Sequence, residues 1–296
     1  MDYHIGIDLG GSSVKAVAVS CSGEKLTDRN VDFDAAEKMH WAECVAGIIR
    51  DLETEQGSPA QGVGLSAPGL AAPDERSIAC MPGRLEGLVG LDWTEFLQRE
   101  NTVPVLNDGH AAVLGESTLY VGRAADNLFM LTLGTGVGGG AIVNGQLLRG
   151  HLGRAGHLGH ISLDPEGAPD ICGTPGSLED AIGNCTVKAR SNGRFETTHD
   201  LIAAHQTGDE FATEVWLRSV KALAAGVAGL INVLDPETVI IGGGIARAGE
   251  TLFKSLREHL DQMEWSPTGS KVRIEPAKLG EFAGAHGAAR RAAVIP

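Results

Sequence analysis

Short stretches of alternating hydrophobic and polar residues are separated by longer stretches with an apolar stripe at helical spacing. The alternation at 3–9 and at 14–19, joined by a glycine and serine turn, predicts a β-hairpin. Between 35 and 55 the apolar residues recur at helical spacing, which predicts a helix. The same criteria predict further strands at 63–69, 103–108, 127–134, 141–148, 238–244 and 272–276, with a hairpin at Asn144-Gly145 in the fourth of them. They predict further helices after the capping residue Asp92 and at 110–117, 209–234, 250–260 and 284–292.

Strands and helices mix along the whole chain, which predicts an α/β protein. A length of 296 residues favours two domains, each with its own core. We place an N-terminal α/β domain at 1–115, completed by the terminal segment 284–296, and a C-terminal α/β domain at 116–283. A strand followed by a glycine loop occurs twice, near 8–12 and 131–140, which suggests two related halves.

The composition excludes several classes of protein. The net charge is −14 and no run of Lys and Arg exceeds two residues, so we expect no nucleic-acid partner. We find no signal peptide and no apolar run that approaches a membrane span, so we expect no membrane partner. The five cysteines form no CxxC pair, which is typical of reduced thiols in a cytoplasmic protein.

The DLGGSS loop that begins at Asp8 carries a carboxylate, two glycines and two hydroxyls at the end of a strand. Such a loop suits a Mg²⁺-bound phosphate chain, because glycine N–H groups approach the oxygens and the aspartate holds the metal through water. Taken alone, the loop is more often only a tight hairpin turn. Two further glycine loops, at 133–140 and 240–249, favour a nucleotide site, although none has P-loop or Rossmann spacing.

Asp108 follows an apolar strand directly, with Asn107 before it and a predicted helix after it. Phosphoryl transfer to an alcohol needs a group that accepts or orients the hydroxyl proton, and a carboxylate at a strand end can do this. The alternative is that Asp108 only caps the helix, since aspartate is a preferred N-cap residue.

The motifs DLGGSSVKAVAV, LNDGHAAVLGE, LTLGTGVGGGAIVNGQLLRG, GRAGHLGHISL and LDPETVIIGGGIARAG together resemble the ROK family of sugar kinases and related repressors. The resemblance implies a two-domain actin/hexokinase-like (ribonuclease H-like) fold with an interdomain cleft for ATP and sugar. It implies MgATP as the phosphoryl donor, with phosphates held by 8–15 and 133–138 and adenosine beside 242–247. The residues it implies for ATP and Mg²⁺ are Asp8, Gly10, Gly11, Ser12, Ser13, Lys15, Gly134, Thr135, Gly136, Gly243 and Gly244.

The resemblance also implies that Asp108 is the catalytic base, and it indicates a set of sugar contacts. These are Gly69, Arg84, Asn107, Asp108, His157, His160 and Glu179. The family usually has a glutamate at the position of His157. Some N-acetylmannosamine kinases also have a histidine there, so an N-acylhexosamine is a candidate substrate beside glucose. Relatives tend to have an Asn-Leu pair that contacts the sugar in the loop where this chain has Arg84 and Glu86. One of these two residues is therefore a candidate substrate contact, and the alternative is that both are only solvated, as charged loop residues often are. For Glu179, the alternative is an ordinary acid in the first turn of a helix.

Many ROK kinases hold a structural zinc with one histidine and three cysteines. Here His160 and Cys172 remain from that set, whereas Asp170 and Ser177 occupy the other two positions. Structural zinc requires four nitrogen or sulfur ligands, so we predict that this chain holds no structural zinc.

The resemblance therefore implies an ATP-dependent sugar kinase. Kinases of this family most often phosphorylate the 6-hydroxyl and are often homodimers. The alternative is a sugar-binding regulatory ROK protein without kinase activity. ROK repressors carry a helix-turn-helix before the first glycine loop, and here that loop begins at Asp8, which disfavours a repressor. Retention of Asp8 and Asp108 argues against a sugar sensor without catalysis. A kinase of the same fold that phosphorylates a substrate other than a sugar is a further, less favoured alternative.

Overall fold

The computed structural model describes residues 2–81, 85–120 and 126–295. Two compact units divide the chain. Unit 1 comprises Met1–Ala125, Leu147–Gly156 and Lys278–Pro296, and unit 2 comprises Asp126–Gln146 and His157–Ala277. The division at residue 115 that the sequence suggested stays a prediction.

The strands, in chain order, are β1 Tyr3–Leu9, β2 Ser13–Ser20, β3 Lys25–Asp32, β4 Gly62–Ala67, β5 Leu70–Ala71, β6 Ile78–Cys80, β7 Val105–Asn107, β8 Leu128–Leu133, β9 Val137–Val143, β10 Gln146–Leu147, β11 Thr238–Gly242 and β12 Arg273–Pro276. The α-helices are α1 His40–Gln56, α2 Trp93–Phe96, α3 Asp108–Ser117, α4 Leu178–Ile182, α5 Val187–Arg190, α6 Thr198–Gln206, α7 Glu210–Leu234, α8 Glu250–Met263 and α9 Ala283–Ala292. Short 3-10 helices cover Thr118–Tyr120, Leu158–His160, Asn184–Thr186, Ile245–Ala248 and Gly280–Phe282.

Unit 1 is built on a five-stranded sheet in the order β3-β2-β1-β4-β7. β1 pairs with β2 antiparallel and with β4 parallel, and β4 pairs with β7 parallel. The residues of β1 other than His4 and Asp8 are buried, because α1 and α9 both pack on this sheet. Since β1, β4 and β7 run in one direction, their carboxyl ends meet at one edge of the sheet, which is the edge that carries Asp8 and Asn107.

Helix α9 lies unusually close to the sheet of unit 1. A Cβ on Gly6 would lie 1.8 Å from the carbonyl oxygen of Ala285, and a Cβ on Gly64 would lie 2.1 Å from that of Ala288. Only glycine tolerates such an approach of backbone to backbone. The two glycines therefore allow α9 to pack directly against β1 and β4.

Unit 2 repeats the same arrangement, with a five-stranded sheet in the order β10-β9-β8-β11-β12. β8 pairs with β9 antiparallel and with β11 parallel, and β11 pairs with β12 parallel. Helix α7 packs on α4, α6 and α8. This shared strand order supports the two related halves that the repeated strand and glycine loop suggested.

The strands and helices predicted from periodicity are confirmed, including the N-cap of α2 by Asp92, which accepts hydrogen bonds from Thr94 N and Glu95 N. The predicted glycine loop at 133–140 is partly wrong, because Val137–Val143 is strand β9. There Gly138 faces Thr132, and a Cβ would lie 2.5 Å from its hydroxyl. Several elements were not predicted: β3, a largely polar edge strand, the short strands β5 and β6, and the helices α4, α5 and α6.

Helix α7 differs from expectation in another respect. Among the described residues it is the helix whose length and hydropathy would allow a membrane crossing, although the sequence indicated no such run. Half of its most apolar window is buried inside the structure, against α4, α6 and α8. A buried core helix meets the same criteria of length and hydropathy, so the packing accounts for the apolar face of α7.

Candidate functional site

Asp8 is the penultimate residue of β1 in unit 1 and lies opposite Ser66 in the register of β1 and β4. The Ser66 hydroxyl donates a hydrogen bond of 2.8 Å to Asp8 Oδ1. The pKa of Asp8 is raised to about 6, mainly by burial and also by the charge of Asp108, although the hydrogen bond from Ser66 and the charge of Lys15 oppose the shift. The first turn of α9 also lies close, because a Cβ on Gly284 would be 2.7 Å from the carboxylate carbon. A partly buried carboxylate whose charge is poorly compensated suits a site that receives a cation.

Asn107, and not Asp108, caps helix α3, so the N-cap interpretation of Asp108 is wrong. Asn107 Oδ1 accepts hydrogen bonds from Gly109 N at 2.9 Å and His110 N at 3.3 Å. Its Nδ2 donates to the carbonyl of Gly69 at 2.9 Å, so two predicted sugar contacts are bonded to each other. Asp108 is exposed while Asn107 is buried, and Gly109 N donates to Asp108 Oδ1 at 2.8 Å. The cap thus presents the Asp108 carboxylate at the carboxyl edge of the sheet.

The turn after Asp8 is a tight one in which Gly10 N donates to Ser13 O at 2.9 Å. Lys15 pairs with Asp8 in the register of β1 and β2, and its Nζ donates to Ser13 Oγ at 3.4 Å. Gly11 and Ser12 are exposed and line a cavity of about 830 Å³. The other described residues that line it are Ala35, Met81, Leu85, Glu86, Gly87 and Val89. Arg84 lies outside the described residues.

The loop after β8 in unit 2 is held by hydrogen bonds from the segment after α4. The carbonyl of Gly134 accepts from Asn184 N at 2.9 Å, and that of Thr135 accepts from Cys185 N at 2.8 Å. Glu179 Oε2 accepts from Val137 N at 2.9 Å, and a Cβ on Gly136 would lie 2.1 Å from the same oxygen. Glu179 is therefore more than a first-turn helix acid, because its carboxylate lies against this glycine loop.

A cavity of about 580 Å³ in unit 2 brings this loop together with the turn after β11. Gly243 has φ +87°, and a Cβ there would lie 2.3 Å from the carbonyl oxygen of Leu133, so the turn requires glycine. The lining residues are Gly134, Thr135, Asn184, Thr197, Thr198, His199, Ile202, Gln206, Gly244, Ile245, Arg247 and Ala248. The predicted residues Gly134, Thr135 and Gly244 thus share one cavity.

Much of this cavity comes from α6, which the sequence reasoning missed. Thr197 caps α6 by accepting from Asp200 N at 3.1 Å, and its hydroxyl donates to Asp200 Oδ2 at 2.6 Å. This Thr-x-x-Asp pattern, followed by two apolar residues, was the signal that could have found the helix. Thr198 is 3% exposed, and its hydroxyl has no hydrogen-bond partner within the described part of the chain. A buried hydroxyl without a partner beside a cavity is a place where a water molecule or a ligand can bind.

The two predicted sugar-binding histidines flank a single 3-10 turn in unit 2. His157 precedes this turn and is half-buried, and His160 ends it. His160 Nδ1 lies 2.7 Å from Asp170 Oδ2, and its Nε2 lies 3.5 Å from Cys172 Sγ. The turn packs tightly on β9, because a Cβ on Gly159 would be 1.9 Å from the carbonyl oxygen of Val137.

The donor set around His160 fits a structural zinc poorly. Ligand atoms of His160, Asp170 and Cys172 lie within 4.8 Å of one another, which is close enough to share an ion. However, the Asp170 carboxylate already accepts hydrogen bonds from Cys172 N and Thr174 N on Oδ1, in addition to His160 on Oδ2. Burial raises the pKa of the Cys172 thiol, and the charges of Asp170 and Glu179 raise it further, whereas zinc binds the thiolate. The fourth position is the hydroxyl of Ser177, a weak zinc ligand.

Comparison with known proteins identifies the relatives of the chain. It is 35% identical to a glucokinase of Thermotoga maritima over 96% of this chain and 95% of that protein. It is 31% identical to a kanosamine kinase of Amycolatopsis mediterranei over 99% of this chain and 97% of that protein. The structure superposes on a ROK family glucokinase from Streptomyces griseus, solved with glucose and AMPPNP, with a TM-score of 0.76. That match has 26% identity and covers 98% of this chain and 99% of the other.

These matches confirm the actin-like two-domain fold that the motifs suggested. The model of the ROK family matches residues 4–293, and the chain therefore belongs to the ROK family.

Proposed function

We propose that this protein is an ATP-dependent sugar kinase that transfers the γ-phosphoryl group of MgATP to a hydroxyl of a hexose. The observation that carries the proposal is the pair of aspartates in unit 1. Asp8 lies near the carboxyl end of β1, and Asp108 directly follows β7, so both stand at one edge of the sheet beside an exposed glycine turn. The 6-hydroxyl of glucose or of an N-acylhexosamine is the acceptor we favour.

In this reaction Asp108 accepts the proton of the sugar hydroxyl as the oxygen bonds to the γ-phosphorus and the bond from that phosphorus to the β-phosphate oxygen breaks. ADP leaves, and the proton remains on the Asp108 carboxylate until water removes it. The exposed position of Asp108 beyond the Asn107 cap supports this role. A positioned base contributes roughly a factor of 100 to 10,000 to the rate. Asn107 and Gly69 hold the segment that carries this base.

Mg²⁺ enters with ATP, and it would neutralise charge on the phosphates. Asp8 fits this ion, because its partly buried carboxylate has a pKa raised to about 6 and gains from a cation nearby. In unit 1 the turn formed by Gly10, Gly11, Ser12 and Ser13, with Lys15, is assigned to phosphate oxygens. In unit 2 the nucleoside is assigned to the cavity beside Gly134, Thr135 and Gly244, where the orphan Thr198 hydroxyl supports a ligand.

The sugar contacts in this proposal are Asn107, Asp108, His157, His160 and Glu179, and Arg84 remains a candidate from sequence. His157 favours a sugar substrate other than plain glucose. A neutral histidine offers one hydrogen-bond donor and one hydrogen-bond acceptor, whereas a carboxylate would only accept hydrogen bonds. A cytoplasmic homodimer without structural zinc, and without nucleic-acid or membrane partners, completes the proposal.

The test is a coupled ADP-release assay over hexoses and hexosamines with wild type and Asp108→Asn. We expect turnover on at least one sugar, and a loss of more than about 100-fold in the variant with sugar and ATP binding retained. Asp51→Asn, an exposed aspartate on α1 in the same unit, is the matched control and keeps wild-type turnover. Sugar binding by the wild type without any turnover would instead support the regulatory ROK protein.

A further inference from the structure

The side chain of Asp170 is fully buried at the centre of the loop between the turn Leu158–His160 and helix α4. Its Oδ1 accepts hydrogen bonds from Cys172 N at 2.8 Å and Thr174 N at 2.9 Å. Its Oδ2 lies 2.7 Å from Nδ1 of His160. Burial alone would raise the pKa of Asp170, but hydrogen bonds from His160, Thr174, Ser177 and Cys172 outweigh it and lower the pKa to about 2.

Oδ2 of Asp170 faces Nδ1 of His160 at hydrogen-bond distance, and an ionised carboxylate has no proton to donate, so this contact settles which ring nitrogen is the donor. The proton must lie on Nδ1 of His160, which donates to Asp170 Oδ2. In the neutral ring Nε2 is then a hydrogen-bond acceptor. The Cys172 sulfur lies 3.5 Å from Nε2, and its S–H is only a weak donor, so a sugar hydroxyl that bonds to Nε2 takes the place of this contact.

We propose that Asp170 is a positioning residue that fixes His160 with its proton on Nδ1, so that Nε2 accepts a hydrogen bond from a sugar hydroxyl. The second half of this inference rests on the proposed function, and the first half does not. A metal ion bound at Nδ1 would have the opposite effect, because the ring proton would then lie on Nε2. Replacing a metal with a carboxylate thus converts Nε2 from a donor into an acceptor.

The same loop also supports the second sugar contact of unit 2. Ser177 follows the loop and caps α4 by accepting from Asp180 N at 3.2 Å. Glu179 lies in the first turn of that helix, with Oε2 bonded to Val137 N. Asp170 therefore organises the segment that carries both His160 and Glu179, whereas the nucleoside cavity is lined by other residues. A change at Asp170 is expected to affect sugar affinity far more than ATP affinity.

The direct test is the ¹⁵N spectrum of the histidine side chains, with His160 assigned by its loss in His160→Gln. We expect wild-type His160 to have a protonated Nδ1 and an unprotonated Nε2. In Asp170→Asn the two backbone N–H groups keep Oδ1, so Nδ2 faces His160 and the ring proton moves to Nε2. Asp164→Asn, an exposed aspartate in the same loop, leaves the His160 signals unchanged.

Kinetics form the second arm, with glucose and N-acetylmannosamine as the probes. In Asp170→Asn the KM of the better sugar rises about tenfold or more, while the KM of MgATP stays within about twofold. Equal changes in both KM values would overturn the sugar-specific role. A wild-type His160 with its proton on Nε2 would overturn the proposal even if the variant does not fold, and so would one zinc per chain that resists dialysis. Absence of kinase activity would refute the proposed function alone, because the ¹⁵N spectrum does not depend on turnover.

Discussion

Replacing Asp8 with asparagine should stabilise the protein in the absence of nucleotide while abolishing the proposed MgATP-dependent kinase activity. The reason is that the folded state raises the pKa of Asp8 from its ordinary value of 3.8 to about 6. Holding the ionised form therefore costs the folded protein about 3 kcal/mol at neutral pH. Asparagine carries no charge and still accepts the 2.8 Å hydrogen bond from Ser66 through Oδ1. Allowing for relaxation, we expect a gain in the free energy of unfolding of roughly 1–3 kcal/mol.

The pH dependence separates this explanation from a simple packing effect. Between the two pKa values the folded wild type binds more protons than the unfolded chain, so its stability falls as pH rises from about 4 to about 6. Asp8→Asn has no such titration. The gain in the free energy of unfolding of Asp8→Asn over wild type should be complete at about pH 8, fall to about half at pH 5 and vanish below about pH 3.5.

Differential scanning calorimetry without nucleotide at about pH 8 and pH 5 measures this, with about 2 °C expected per kcal/mol in a chain of this size. Asp51→Asn is the matched control, because its side chain is exposed on α1 and no advantage is expected at either pH. The claim that the charge of Asp8 destabilises the folded protein would be refuted if Asp8→Asn were no more stable than wild type at pH 8. It would also be refuted if the difference in stability did not change with pH.

Three further predictions follow from single positions. Thr198→Val removes a buried hydroxyl without a described partner, so it should stabilise the nucleotide-free protein by about 1 kcal/mol and raise the KM of ATP about tenfold; an unchanged KM would remove Thr198 from the nucleotide site. His157→Glu should shift kcat/KM toward glucose relative to the preferred wild-type sugar, and an unchanged ratio at saturating MgATP would show that His157 does not contact the sugar. Gly6→Ala should destabilise unit 1 by more than about 3 kcal/mol because its Cβ would meet the Ala285 carbonyl, whereas Gly47→Ala on α1 should be neutral or stabilising; equal thermal unfolding of the two variants would contradict this.

The elements that could be predicted were those whose pattern is local. The hairpin of β1 and β2, helix α7 and the cap of α2 follow from periodicity and from turn and capping residues that lie within a few positions of one another. β3 could not be predicted because an edge strand with many exposed polar residues lacks alternation. Gly138 was assigned to a loop because glycine disfavours strands, yet Thr132 on the neighbouring strand leaves no space for a side chain there.

Within the candidate site, the sequence alone determined which residue types are present: Asp8 and Asn107-Asp108 after apolar strands, glycines in three loops, and two cysteines missing from a zinc set. Those features are local in sequence, and so they are readable without a structure. Only the tertiary structure decided that Asn107 takes the cap and exposes Asp108, that burial raises the pKa of Asp8, and that α6 forms a wall of the cavity beside Gly134 and Gly244. It also decided that Asp170 bonds to His160 across ten positions of the chain. Each of these depends on burial or on a partner distant in sequence, and such quantities exist only once the chain has folded.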